Sequence, residues 1–175
     1  MAFRESLTGI VIWTILRVWV GWQWLTSGWG KVFGEGREVW VGSKAGVAVT
    51  GFLKGALGKT VGDNPDVQAW YGWIVSNIAL PNSKIFSYIV AYGELIVGVA
   101  LILGFLTIPA LLAGVFFNLN FLLAGSIGIS PVLLTLEAIL LFVGPAVYYI
   151  GLDRWAIPDL SRRWTRRRRI KPVRT

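Results

Sequence analysis

The sequence predicts an all-α, polytopic membrane protein: a bundle of four transmembrane helices with an amphipathic surface helix in the first outer loop. Two observations predict this class. The chain of 175 residues is 55% hydrophobic, with a mean hydropathy of +0.63, which is more apolar than a soluble core of this size needs. Its cations are also concentrated behind the last apolar segment, where nine of 17 Lys and Arg residues lie within 154–175. We therefore expect a transmembrane domain over 1–153 and a basic tail over 154–175.

The basic tail sets the predicted orientation. Its nine cations face one acid, Asp159, so its net charge of +8 equals that of the whole chain. A basic run can also be a nucleic-acid-binding arm, but positive charge beside a spanning helix is typical of the cytoplasmic side of a membrane. We expect a cell-membrane protein with both termini cytoplasmic, a tail that contacts anionic lipid headgroups, and no nucleic-acid partner. Six cations in the first outer connection oppose this orientation, so it depends on the tail outweighing them.

Four apolar segments are each close to the ~20 residues that about 30 Å of hydrocarbon requires. The predicted spans are about 7–27, 85–104, 108–125 and 131–151. Pro131 fits the first turn of the fourth helix, Gly104 fits the end of the second, and Pro145 predicts a kink inside the fourth. Because only a few residues separate the last three spans, those helices are expected to be antiparallel neighbours.

The first connection, 29–84, is too long and too patterned to be an idle linker. Asn64 and Pro65 resemble a helix cap and first position, and apolar residues then recur at helical spacing. We predict an amphipathic helix over 66–80, lying flat at the outer interface because it is shorter than a span and rich in Trp and Tyr. The upstream segment 45–57 is either a second surface helix or a shallow re-entrant one, and periodicity does not decide between them.

Polar side chains inside the apolar segments are the candidate site residues, because each is costly in hydrocarbon unless it is paired. They are Arg17, Glu94, Asn118, Asn120 and Glu137. Counting from the outer ends of the predicted spans places all five in one layer, and small residues share their faces, so we predict that they meet and that Arg17 pairs with Glu94. The pairing has a purely structural interpretation, while a carboxylate left over is a candidate for binding or proton relay.

Other site chemistry is restricted by composition. The chain has no Cys and no His, and its single Met is Met1, so the usual ligands of haem, copper and iron–sulfur centres are missing and neither haem nor a metal site is expected. The aromatic residues are placed as an interfacial belt, although outer-end rings such as Trp22 are also suited to the walls of a quinone site.

Several segments resemble the DoxX/DoxD family of four-helix bacterial and archaeal membrane proteins. They are Leu80-Pro81-Asn82, Phe86-Ser87-Tyr88, the stretches Ala91 to Gly98 and Leu101 to Gly104, Asn118-Leu119-Asn120-Phe121, Leu123 to Ser126, Gly151-Leu152-Asp153-Arg154, and the first helix with Arg17, Gly21, Gly28 and Lys31. The resemblance implies association with redox complexes, since DoxD-like proteins form the membrane subunit of thiosulfate:quinone oxidoreductase and DoxX-like ones are linked to thiol and oxidative-stress systems. It also implies Arg17, Glu94 and Asn118 as pocket residues.

Three functions follow as hypotheses. The first is a redox-associated membrane subunit that holds a quinone between its helices, with Glu94 as the proton-supplying group and with Arg17, Trp22, Asn118, Asn120 and Glu137 around the ring. Such a subunit is not expected to be catalytic alone and needs a membrane or peripheral redox partner that delivers electrons. The second is a non-catalytic accessory subunit of a larger membrane complex. The third is a small proton-coupled transporter using Glu94.

Overall fold

The computed structural model describes residues 6–155, which contain helices and no strand. The elements are α1 (Leu7–Val32), α2 (Arg37–Trp40), α3 (Val47–Gly58), α4 (Ala69–Ile74) with a π-helix (Val75–Ala79), α5 (Ser83–Leu103), α6 (Thr107–Leu123), α7 (Ser130–Val143) and a 3₁₀ turn (Gly144–Val147). The long helices α1, α5, α6 and α7 form a bundle around one apolar core. Residues 37–79, which we call the cap, pack where α1 and α6 end and α5 begins. Apart from its first two positions, the predicted basic tail lies outside the described residues.

Two segments in the described part are long and apolar enough to cross a membrane: Ser83–Leu103 and Ser130–Val147. α6 is apolar but has only 17 residues. The predicted kink at Pro145 is a complete break, because α7 ends at Val143, the next residue, Gly144, has a φ of +75°, and a 3₁₀ turn begins there. Proline lacks the amide proton that a continuing α-helix requires. The α-helical part of the fourth segment is therefore much shorter than the predicted 131–151.

Glycines allow α1 and α5 to lie side by side in opposite directions. Gly28 lies against the backbone of Leu95, and Gly98 lies against the backbone of Leu25, so that a Cβ atom at either glycine would overlap the other helix. Close backbone approach of this kind is how helices associate where hydrocarbon surrounds them. These two contacts fix the register of the helix pair. Small residues were predicted on the packing faces, and Gly98 lies on such a face, whereas Gly144 follows the end of α7 and its Cβ would meet nothing within 4 Å.

The cap is helical in both places where the sequence left a question. The segment 45–57 forms all of α3 but its last residue, and the amphipathic stretch predicted over 66–80 forms α4 and the π-helix. Val67, Tyr71, Val75 and Ala79 face inward at i, i+4, i+8 and i+12, and they pack against α3 and the end of α6. Trp70 and Trp73 are exposed on the opposite side. The apolar residues that recur at helical spacing in this stretch are thus divided between a packed face and an outer aromatic face.

The opposite end of the bundle is held by Asp153. Its two carboxylate oxygens accept hydrogen bonds from the backbone amides of Leu106 at 2.8 Å and Thr107 at 2.7 Å. These amides are the free N–H groups at the start of α6, so a residue far along the chain caps this helix. The amides of Leu152 and Asp153 also donate to the carbonyls of Leu103 and Gly104. The Gly151 to Arg154 motif therefore joins the end of the fourth segment to the turn between α5 and α6.

Candidate functional site

A cavity of about 730 Å³ lies between the cap and the helices α1, α5, α6 and α7. This volume is within the range typical of small-molecule sites. Most of its wall is apolar or aromatic, and the aromatic residues are Trp24, Trp40, Phe52, Tyr71, Phe86, Phe116, Phe117 and Phe121. The π-helix contributes Val75 and Ala79, and π-helical turns occur frequently at functional sites. The cavity is therefore suited to a flat apolar molecule rather than to a charged one.

An ion pair forms one polar part of the cavity wall. Nζ of Lys31 donates to Oε2 of Glu94 at 2.5 Å, and the two side chains are only 18% and 3% exposed. The same ammonium donates to Oγ of Ser27 at 2.7 Å and to the Ser27 carbonyl at 3.4 Å. It also lies 5.0 Å from the centre of the Trp40 ring, a cation–π distance. A charged pair thus borders a mostly apolar chamber.

A second polar part is formed around Glu137, which is completely buried. Its Oε1 accepts a 2.7 Å hydrogen bond from the indole N–H of Trp24, and its Oε2 accepts a 2.9 Å bond from the side-chain amide of Asn118. Gly114 leaves room for the carboxylate, since a Cβ there would overlap Oε1. Trp24 and Asn118 line the cavity while Glu137 lies behind them. Glu137 therefore acts on the cavity through these two side chains.

Tyr71 and Asn120 form a third polar contact, between the cap and α6. The Tyr71 hydroxyl donates to the backbone carbonyl of Asn120 at 3.1 Å, and the Asn120 amide donates to the Phe116 carbonyl at 2.8 Å. Burial raises the pKa of Tyr71, so its hydroxyl keeps its proton at neutral pH. Both residues line the cavity.

The predicted pairing of Arg17 with Glu94 is wrong. Arg17 donates to the carbonyls of Val147 at 3.1 Å and Ile150 at 2.8 Å, near Asp153, at the opposite end of the bundle from the cap. The glycine contacts place Arg17 opposite position 106 of the chain, about 18 Å along the axis from Glu94. Side chains also lean toward the start of their own helix, and these helices are antiparallel. Arg17 and Glu94 consequently point away from each other.

The structure brings together three of the six predicted site residues at the cavity wall and places the others elsewhere. Glu94, Asn118 and Asn120 line the cavity, and Glu137 is one hydrogen bond behind it. Arg17 lies at the far end, and Trp22 is 56% exposed on the outside of α1, away from the lining.

Sequence reasoning missed Lys31, Trp24 and Tyr71 as members of the site. Lys31 was assigned to the outer connection because the first span was ended at 27, whereas α1 continues to Val32. The spacing of Ser27 and Lys31, four residues apart, was the available signal for another helical turn. Within 6–155, no group of acidic residues is arranged to hold a metal ion.

Comparison with known proteins gives one family. The model of the DoxX family matches residues 12–127, which is about two thirds of the chain and includes most of α1, the cap, α5 and α6. The match covers every cavity-lining segment except α7 and the loop before it. Neither the curated proteins nor the solved structures provide a match.

Proposed function

Because the chain belongs to the DoxX family, we propose that it is a membrane subunit of a redox complex and that it holds a quinone-type ring in the cavity beneath the cap. Family membership and the apolar helices support a membrane protein associated with redox complexes. The observation that carries the ligand assignment is the cavity itself: about 730 Å³, with aromatic side walls and, at one side, an ion pair whose carboxylate is buried. A quinone headgroup has this combination of a flat apolar ring and polar oxygen atoms at its edge.

The aromatic residues supply most of the proposed binding energy. Phe117 and Phe121 are stacked with ring centres 6.5 Å apart, and Phe52 meets Phe121 edge-on at 6.1 Å. An inserted ring would add another aromatic contact to this group, and such contacts stabilise beyond the area they bury. The isoprenoid tail would lie between the helices α1, α5, α6 and α7 or in the surrounding bilayer. No charged group other than the Lys31–Glu94 pair lines the cavity among the described residues.

Glu94 is the proposed proton-exchanging group. It lies at the cavity wall, and its partner Lys31 is partly exposed, so a proton path between Glu94 and the surface needs to pass only one side chain. Reduction of a quinone consumes two electrons and two protons, and a nearby carboxyl group can exchange one of these protons. The electrons would come from a partner redox subunit, since this chain has neither the His nor the Cys that usually hold redox centres.

The proposed membrane arrangement has four spans formed by α1, α5, α6 and α7 with its 3₁₀ turn. In this arrangement the cap lies on the outer side, both termini are cytoplasmic and the basic tail contacts anionic lipid. The exposed Trp70 and Trp73 of α4 would lie at the outer interface. A partner subunit would dock on the side of the cap, which covers the cavity.

We expect purified protein in detergent to bind one short-tailed quinone per chain, as measured by equilibrium dialysis against protein-free micelles. Replacing Ala79 with Phe fills the cavity from the π-helix and should abolish binding, while Glu94→Gln should weaken it by about tenfold through loss of the charged pair. Val132→Phe, which introduces the same phenyl ring on the exposed face of α7, is the control and should bind as the parent does. Binding that survives Ala79→Phe would place the ligand elsewhere, and absence of binding in a folded protein would favour the non-catalytic accessory subunit.

A further inference from the structure

The cavity beneath the cap is open at one side, because some residues of its wall are also exposed on the outside of the protein. Ile89 of α5 and Phe116 of α6 both line the cavity, and they are 50% and 62% exposed. Phe52 of α3 also combines the two properties, and its ring meets Phe121 of α6. A side chain that belongs to the wall and is also exposed lies at the edge of an opening. Phe52, Ile89 and Phe116 therefore form the rim of an opening, which we call the side mouth.

The side mouth lies where a side chain, and not backbone contact, separates two helices. Gly93 of α5 faces the ring of Phe117 of α6, and a Cβ atom at Gly93 would overlap that ring. Between α1 and α5, by contrast, Gly28 and Gly98 bring each helix directly against the backbone of the other. A ring between two helices holds their backbones further apart than direct contact does. The interface between α5 and α6 is therefore the wider of the two at this level.

In the proposed membrane arrangement, the side mouth lies within the hydrocarbon. At 1.5 Å per residue, Ile89 lies about 9 Å along the axis from the start of α5, and Phe116 lies about 10 Å from the end of α6. The three rim residues are apolar, so an alkyl or prenyl chain passes them without taking a polar group out of water. The side mouth thus connects the cavity with the interior of the bilayer.

The ion pair of the cavity lies on a different side of α5. Glu94 follows Ile89 by five positions, which corresponds to about 140° around an α-helix. Its partner Lys31 belongs to α1, so the charged pair lies on the side of α5 that faces α1. A ligand that has its oxygen atoms near this pair consequently has its opposite end toward the side mouth.

The far edge of the cavity has a different composition. The four long helices follow one another around the bundle in the order α1, α5, α6, α7, so α1 and α7 lie across from the interface of α5 with α6. Two of the exposed lining residues on this far side carry hydroxyl groups, and one is apolar. They are Thr26, Ser27, Gly128 and Ile129. The far edge is thus less suited to an apolar chain than the wholly apolar side mouth is.

We infer that the ligand of the cavity is a ring with an attached apolar chain, and that this chain leaves through the side mouth, past Ile89 and Phe116, into the bilayer. This inference rests on the proposed function and adds the subsite for the tail and the route of entry. The ring lies toward the Lys31–Glu94 pair, and the first part of the chain packs on the rim. Such a ligand enters sideways from the membrane without a movement of the cap.

The test compares two ligands that share one quinone ring, one with a methyl substituent and the other with a two-isoprene tail. Their dissociation constants are measured with purified protein in lipid nanodiscs and corrected for partition into protein-free nanodiscs. The parent protein should bind the tailed ring about tenfold more tightly after this correction, because the rim covers part of the chain. Equal corrected affinities overturn the inference while leaving the proposed function intact. Binding of neither ring overturns the proposed function as well.

Variants of the rim locate the chain. Ile89→Ser/Phe116→Ser replaces two rim side chains by short polar ones and should reduce the tail preference to about twofold or less. Phe116 is mostly exposed, so Phe116→Ser alone provides the same comparison where the double variant does not fold. Thermal unfolding identifies the variants that are folded. A folded rim variant with the parent's tail preference overturns the assignment.

Two controls show whether the effect is specific to the side mouth. Ile139→Ser/Phe142→Ser removes the same two residue types from the exposed face of α7, outside the cavity lining, and should keep the parent's tail preference. Ile129→Ser alters the far edge of the cavity and should keep it too. A tail preference that is lost in Ile129→Ser but kept in the rim variants would place the chain between α1 and α7 and overturn the inference.

Discussion

Replacing Lys31 with Met is expected to destabilise the protein by about 3–5 kcal/mol, because it leaves the Glu94 carboxylate buried without its cation. Glu94 is only 3% exposed and Lys31 is its ion-pair partner at 2.5 Å. For a chain of this length, such a loss corresponds to a fall in Tm of roughly 10 °C. Thermal unfolding in detergent, followed by circular dichroism, measures it.

The double variant Lys31→Met/Glu94→Met decides whether the pair explains this loss. Removing both charges replaces a buried ion pair by apolar groups and should recover most of the stability. Lys54→Met, on the exposed side of α3, is the matched loss of one cation and should change Tm little. A double variant as unstable as the single one would show that Lys31 acts through its packing on Trp40 and not through Glu94.

Gly98→Ala is the second change with a large expected effect, about 3 kcal/mol or more. The new Cβ would overlap the backbone amide and Cα of Leu25, and a helix backbone cannot move aside as a flexible side chain can. The two helices must separate, which removes the close contact at Gly28 as well. Gly55→Ala in α3 is the control, since its Cβ would meet nothing within 4 Å. It should be neutral or slightly stabilising because alanine favours the helix.

Unfolding of Gly98→Ala and Gly55→Ala under identical conditions gives the comparison. If the two variants differ by less than the measurement error, the α1–α5 contact is looser than described and the register derived from it is incorrect. The position of Lys31 beside Glu94 depends on this register. A large loss specific to Gly98→Ala would support it.

The helices of this protein could be predicted from sequence because hydropathy and the positions of glycines depend directly on local structure. The segment beginning at Ser83 and its end at Gly104, the break near Pro145 and the helix containing Tyr71 all follow from such local patterns. Burial of Glu94, Asn118 and Glu137 inside the bundle also follows, since polar groups in apolar helices must face one another. The Asn118–Glu137 contact is an instance of this rule.

The pairing of these polar groups could not be predicted from sequence, because it depends on the register between the helices and on side-chain direction. An error of five residues at the end of the first helix moved Lys31 into a loop and removed it from consideration. Arg17 donates to backbone carbonyls beyond the end of α7 at Val143. No pattern of residue types indicates such backbone partners. The cavity itself depends on how the cap packs on the bundle. This is a contact between distant segments, and no local sequence pattern predicts it.

Photolabelling with a ring-substituted azidoquinone shows directly whether a quinone-type ring binds in the cavity beneath the cap. The purified protein is labelled, and the labelled peptides are identified by mass spectrometry. We expect labels on cavity-lining residues such as Phe52, Val75 and Phe117, and we expect an excess of unlabelled ligand to remove them. Labels confined to exposed residues of the bundle surface such as Ile96 and Leu112, and unchanged by competition, would contradict it.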